Sequence, residues 1–153
     1  MRTKTIRVFW NAPEPIEAVI DSLNGDEIGL YYITRIYNGQ EKSLYIGESI
    51  SSIKSRLIDH NKHWVHNYSH SKIFVRTGKI IYPRNDIEKA IQHAEKALIF
   101  EHGQYGSKIL VENTVSTSTY SYTDIYKIIN EGDRFELKEI VDMNEHEEYR
   151  SET

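Results

Sequence analysis

The chain has 153 residues, no cysteine, 39% hydrophobic and 27% charged residues and a net charge of −4, which is one ordinary soluble domain with enough apolar surface for a core. Without cysteine there are no disulfides, no thiol catalysis and no sulfur-ligated zinc or iron–sulfur centre, so any metal would have oxygen or imidazole ligands. No apolar run approaches the roughly 20 residues of a membrane span, and Met1 to Thr5 lead into no signal-peptide core, so cytoplasmic residence without a membrane partner is the default.

The local pattern predicts a strand near Thr5 to Trp10, a break at Pro13-Glu14-Pro15 and a short helix at Ile16 to Leu23. Two strand-like runs follow, Ile28-Gly29-Leu30-Tyr31-Tyr32-Ile33 and Leu44-Tyr45-Ile46-Gly47-Glu48-Ser49, with Asn38-Gly39-Gln40 marking the turn of an antiparallel hairpin. Side chains alternate along a strand, so Tyr31 and Ile33 share one side while Tyr45 and Gly47 share a side of the partner, and the two phenols would meet on one face. A helix from about Ile50 to Trp64, capped by Ser49, Ser51 or Ser52, carries Ile50, Ile53, Leu57 and Trp64 near helical spacing. Lys72 to Val75 and Lys79 to Tyr82 read as a third strand or a second hairpin about Thr77-Gly78. Pro83-Arg84-Asn85-Asp86 then opens a long helix, Ile87 to roughly His102, on whose apolar face Glu101 is the odd member. A carboxylate there must be solvated, paired or metal-bound.

Charge is unevenly spread. Residues 131–153 hold nine acids against three bases, −6, which leaves +2 for the rest of the chain. Residues 50–84 hold seven bases against Asp59 alone, together with His60, His63, His66 and His70, and form an anion-binding candidate or a solvated charged face. Lys54, Lys62, His63, Lys72 and Arg76 are the residues of this stretch expected to meet nucleic acid.

The order Gly29-Leu30-Tyr31, Tyr45-Ile46-Gly47, Arg56 with His60 one helical turn on, then Glu101 and Asn113, resembles the GIY-YIG nuclease domain over residues 28–114. Leu30 replaces the middle isoleucine of the first triplet, and Glu48 stands where several members carry lysine. The resemblance implies an α+β fold with a small three-stranded antiparallel sheet flanked by helices; length and charge place it in a single domain over residues 1–130, followed by an acidic extension over 131–153 whose end reads as disordered. It implies hydrolysis of DNA phosphodiester bonds with one divalent cation, Mg²⁺ or Mn²⁺, RNA remaining an open alternative. It carries over Tyr31, Tyr45, Arg56, His60, Glu101 and Asn113 as catalytic residues and Glu101 as the metal ligand.

The chemistry suits those residue types. Phosphodiester hydrolysis needs a positioned water and neutralised phosphate oxygens, which a carboxylate-held divalent ion and a guanidinium supply. Each residue also has a structural alternative: Tyr31 and Tyr45 as cross-strand packing partners, Arg56 and His60 as cover for a helix face, Asn113 as a turn cap. His63, His66, His70, His93 and His102 read as surface or DNA-proximal groups, not ligands. Tyr120, Tyr122 and Tyr126 would pack on the sheet or stack on bases. The competing functions are an inactive nucleic-acid-binding module and a protein-interaction domain.

Overall fold

In the computed structural model, which describes residues 3–104, 106–113 and 125–145, the chain forms β1 (Thr3–Trp10), β2 (Glu14–Pro15), α1 (Ile16–Ser22), β3 (Gly29–Tyr37), β4 (Gln40–Ser49), α2 (Ile53–His63), β5 (Lys72–Tyr82), α3 (Ile87–Ile99), β6 (Ile125–Gly132) and β7 (Ile140–Asp142). A 3₁₀ turn follows α2 at Val65–Asn67, another follows β7 at Met143–Glu145, and α3 runs on into one π-helical turn, Phe100–Gln104. No helix among the described residues is long and apolar enough to cross a membrane.

The predicted hairpin is present. Asn38 and Gly39 both take positive φ, 53° and 74°, the signature of the two-residue turn whose twist matches its strands. Tyr37 pairs with Gln40 across it, and the ladder runs back to Gly29 opposite Ser49 with a bulge between Ile33 and Thr34. Residues 72–82 resolve as one strand, β5, paired antiparallel to β3.

The sheet does not stop there. Its order is β4-β3-β5-β1-β6-β7, with β2 paired to β5, so the small three-stranded antiparallel sheet expected from the sequence is corrected to a curled, mixed sheet of seven strands. The physical cause lies in β1. It occupies the far edge of β5 in antiparallel register and then pairs in parallel with β6, from Thr3 opposite Ile125 to Trp10 opposite Gly132. Ile6, Val8 and Trp10 on β1 are buried, and an unpaired edge beside them would leave a row of backbone groups without partners. The acidic C-terminal stretch takes part in this core: Leu137, Val141 and Met143 are buried.

Alternation along β3 divides the interior into two cores. Leu30 and Tyr32 face the side covered by α3, whose Ala90, Ile91, Ala94, Ala97 and Leu98 complete that cluster. Tyr31 and Ile33 face the other side, covered by α1 and α2 through Ile16, Val19, Ile53 and Leu57. The Ser52 hydroxyl caps α2 by accepting from the Ser55 N–H, and the Ser49 hydroxyl accepts from the N–H groups of Ser51 and Ser52. Strand β4 is thereby tied directly to the helix that follows it.

Arg76 lies inside this framework, not on a nucleic-acid surface. It is 3% exposed, donates from Nε to Asp133 at 3.0 Å, pairs with Glu41 through its terminal nitrogens and lies over the Phe135 ring. Contrary to the expectation from the sequence, its guanidinium is engaged inside the protein and is not presented to nucleic acid. Arg76→Leu should destabilise the protein by about 2–3 kcal/mol, less than breaking a fully buried ion pair costs because Glu41 and Asp133 are partly open to water. Urea unfolding of the variant checks this, and nucleic-acid binding at equal folded concentration should be unchanged.

Candidate functional site

The two cassettes explain each other. Tyr31 is cross-strand neighbour to Gly47, and a Cβ placed on Gly47 would lie 2.4 Å from both the Cζ and the Oη of Tyr31. The phenol of the first cassette thus rests on the glycine of the second. In the first cassette, Gly29 has a φ of +149° and a Cβ there would meet the Gly78 carbonyl oxygen at 2.6 Å, so β3 and β5 approach more closely than a side chain allows. Tyr45 stacks beside Tyr31, with ring centroids 6.1 Å apart and planes 20° apart.

Helix α2 brings its side chains to these phenols. His60 Nε2 lies 2.8 Å from the Tyr31 hydroxyl, and its ring packs 4.6 Å from that of Tyr45. The Arg56 guanidinium reaches both phenols. Trp64, at the helix end, packs against Tyr45 and donates its indole N–H to His60 Nδ1 at 2.7 Å. Burial, then the Arg56 charge, lowers the His60 pKa to about 4, so the imidazole is neutral at pH 7. Burial raises the pKa of Tyr31 well above the usual phenol value and that of Tyr45 in the same direction, with Arg56 opposing at both.

Asn113 acts on the strand and not on the phenols. Its side-chain oxygen accepts from the Ile46 N–H at 3.0 Å and its amide donates to the Ile46 carbonyl at 2.9 Å. The neighbouring Glu112 N–H donates to Leu44 O at 2.8 Å. Together they complete the outer edge of β4 on either side of Tyr45.

Glu101 stands elsewhere. It lies in the π-helical turn, 3% exposed, with its carboxylate 3.7 Å from Lys138 Nζ and packed against Gly106, and it shares no described contact with Tyr31, Tyr45, Arg56 or His60. Glu95 stands six residues earlier, on α3. Six residues place the two a third of a turn apart around the axis and about 9 Å apart along it. Glu95 acts electrostatically on both phenols. Burial, then the neighbouring Glu48, raises its own pKa to about 7, with Lys96 and Arg56 opposing. Glu48 is raised too, chiefly by burial, and its Oε2 is buried without a hydrogen-bond partner.

The sequence did contain a signal for Glu95. It stands four residues after Ile91 and three before Leu98, on the same apolar stripe as both, which is the criterion that singled out Glu101. Among the described residues there is no group of three or more histidine, cysteine or acidic side chains that would hold a metal. A cation held mostly by water and substrate oxygens asks a protein for one or two carboxylates. Glu48, whose Oε2 has no hydrogen-bond partner, and Glu95, which it acts on electrostatically, are the carboxylates that could be offered to one.

The remaining basic residues are dispersed. Lys54 donates to Leu23 O at 3.5 Å. Lys62 lines a cleft with Glu17 and Asp21 of α1, and Lys72 is exposed at the start of β5. Of that set, His63 alone lies on the face of Arg56 and His60, seven residues after the arginine, and its charge acts on His60. His93 and His102 are buried, at 5% and 0% exposure, which corrects their expected surface position. The first packs at a tilt on buried Tyr126 of β6, and the second spans Leu98 O and the Lys138 N–H. Tyr120 and Tyr122 lie outside the described residues.

No family model matches this chain, and no curated protein or solved structure is similar to it.

Proposed function

We propose that the chain is a divalent-cation-dependent endonuclease with a GIY-YIG-type site, cutting DNA phosphodiester bonds in the cytoplasm. The observation that carries this reading is the convergence, from four separate elements, of stacked Tyr31 and Tyr45 over Gly47, Arg56 reaching both phenols, and Glu95 acting electrostatically on both. Packing alone does not require an arginine and a costly half-buried carboxylate at the same pair of phenols.

Arg56 would bind the scissile phosphate, its planar fork matching two phosphate oxygens. Tyr45 is the outer phenol, still partly exposed, and would hydrogen-bond the attacking water or the phosphate. Tyr31, with 0% exposure, would orient Tyr45 and Arg56 from beneath. Glu95, with Glu48 coupled to it, would hold the cation, which when bound neutralises phosphate charge and makes a bound water more acidic. Asn113 keeps β4, and so Tyr45, in place. An added cation would favour ionisation of these phenols, which burial makes harder to ionise than an ordinary tyrosine.

A second reading, a nucleic-acid-binding module without turnover, is favoured by the complete burial of Tyr31 and the protonated state of both phenols. A panel of plasmid, linear, single-stranded and branched DNA separates the two. The nuclease reading expects cuts in Mg²⁺ or Mn²⁺ that EDTA abolishes, whereas salt-sensitive binding with no cuts on any substrate would establish the module.

A further inference from the structure

Trp64 is separate from the residues that the resemblance assigns. Its indole nitrogen is a donor and never an acceptor, and it lies 2.7 Å from His60 Nδ1. The hydrogen of that bond belongs to Trp64, so Nδ1 must offer its lone pair. The other ring nitrogen, Nε2, lies 2.8 Å from the Tyr31 hydroxyl. A neutral imidazole carries one proton, and with Nδ1 accepting it sits on Nε2. We infer that Trp64 is a positioning residue that locks His60 in its Nε2–H tautomer, making His60 a fixed hydrogen-bond donor to Tyr31.

The consequence is directional. His60 cannot take a proton from Tyr31, because the nitrogen facing the phenol already bears one. Tyr31 therefore accepts from His60 and keeps its own O–H to donate toward the Tyr45 side of the cluster. If the Tyr31 proton leaves, the donor left in place stabilises the phenolate from one side while Arg56 does so from the other. The groups facing His60 agree with this assignment. From α2 these are Arg56, Asp59 and His63, from β3 and β4 the two phenols, and from the helix end Trp64. Rings pack against His60 in tilted and edge-on arrangements on the Tyr31, Tyr45 and Trp64 sides, and exchanging its two nitrogens would break both bonds.

The catalytic meaning of this lock rests on the phosphodiesterase reading, while the tautomer itself does not. Long-range proton–nitrogen NMR spectra of the imidazoles, recorded near pH 7 without nucleic acid on wild type and Trp64→Phe, test it. The lock predicts a single Nε2–H tautomer for His60 in wild type and a mixture in the variant. A wild-type His60 in the Nδ1–H or an averaged form, or an unchanged pure Nε2–H tautomer in a folded Trp64→Phe, would overturn it. The wild-type spectrum decides by itself if the variant does not fold. A cleavage comparison adds the functional readout. In His60→Gln the amide reaches toward Tyr31 and retains the donor, so activity should stay within a few-fold of wild type, whereas His60→Asn, too short to do so, should lose about tenfold, the worth of one such hydrogen bond. Equal losses in both would remove the donor role from His60. An uncut substrate with wild type would count against the nuclease reading alone and leave the spectra to decide the lock.

Discussion

Gly47→Ala is expected to reduce cleavage by about 100-fold or more while lowering stability by about 1–3 kcal/mol, the effect of a close contact forced on a packed neighbour. The added methyl would sit 2.4 Å from the Tyr31 hydroxyl, and a phenol held by His60 on one side and stacked on Tyr45 on the other has no vacant rotamer to move into. The ring must shift, which moves the hydroxyl off His60 and away from Arg56 together. Circular dichroism and urea unfolding would show a folded protein of reduced stability, and single-turnover cleavage would show the larger loss. The asymmetry matters: a glycine needed only for backbone freedom would cost stability and spare the chemistry of the surviving folded fraction.

Glu95→Gln should stabilise the protein at high pH in the absence of divalent cations. The folded carboxyl titrates at about 7 and the unfolded one near 4.3. A raised folded pKa means that stability is full below about pH 4.3, declines as pH rises toward 7, and stays low above it. The variant lacks that titration. At pH 4 the two proteins should melt alike, and at pH 8 in EDTA the variant should melt higher by roughly 5 °C, from a cost of about 2 kcal/mol relieved in a chain of this size. Adding Mg²⁺ or Mn²⁺ at pH 8 should then raise the wild-type melting temperature and leave the variant's nearly unchanged, because the carboxylate that gains from the cation has been removed. Equal cation shifts in both would place the cation elsewhere.

Both effects trace back to what local sequence reveals. The hairpin was legible because period-two alternation and an Asn-Gly turn are local, and the same alternation put Tyr31 and Tyr45 on one face. The capped helix α2, with Arg56 and His60 one turn apart, was legible for the same reason. The rest of the sheet was not. Strand β1 finds β6 across more than a hundred residues of chain, and nothing in either segment states that pairing or its parallel sense. Arg76 looked like part of a basic surface because composition carries no information on burial, yet its register opposite Tyr32 puts it on an inner face. Glu101 drew attention as the last acid on an apolar stripe, but the π-helical turn that begins at Phe100 ends the regular helix before it. Glu95 lies within the regular turns and acts electrostatically on both tyrosines. Trp64 read as a core residue by spacing, and its hydrogen bond to His60 depends on how the helix end is closed, which pattern alone does not give.

The central claim is that Tyr31, Tyr45, Arg56 and Glu95 form one metal-dependent phosphodiesterase site. Its most direct test is single-turnover DNA cleavage by wild type, Glu95→Gln and Glu101→Gln at matched folded concentration, each in Mg²⁺, Mn²⁺ and EDTA. The account predicts metal-dependent cuts by wild type and by Glu101→Gln, with Glu95→Gln slower by about 100-fold or more, the scale of a lost charge-stabilising group. Cleavage retained in Glu95→Gln and lost in a folded Glu101→Gln would contradict it.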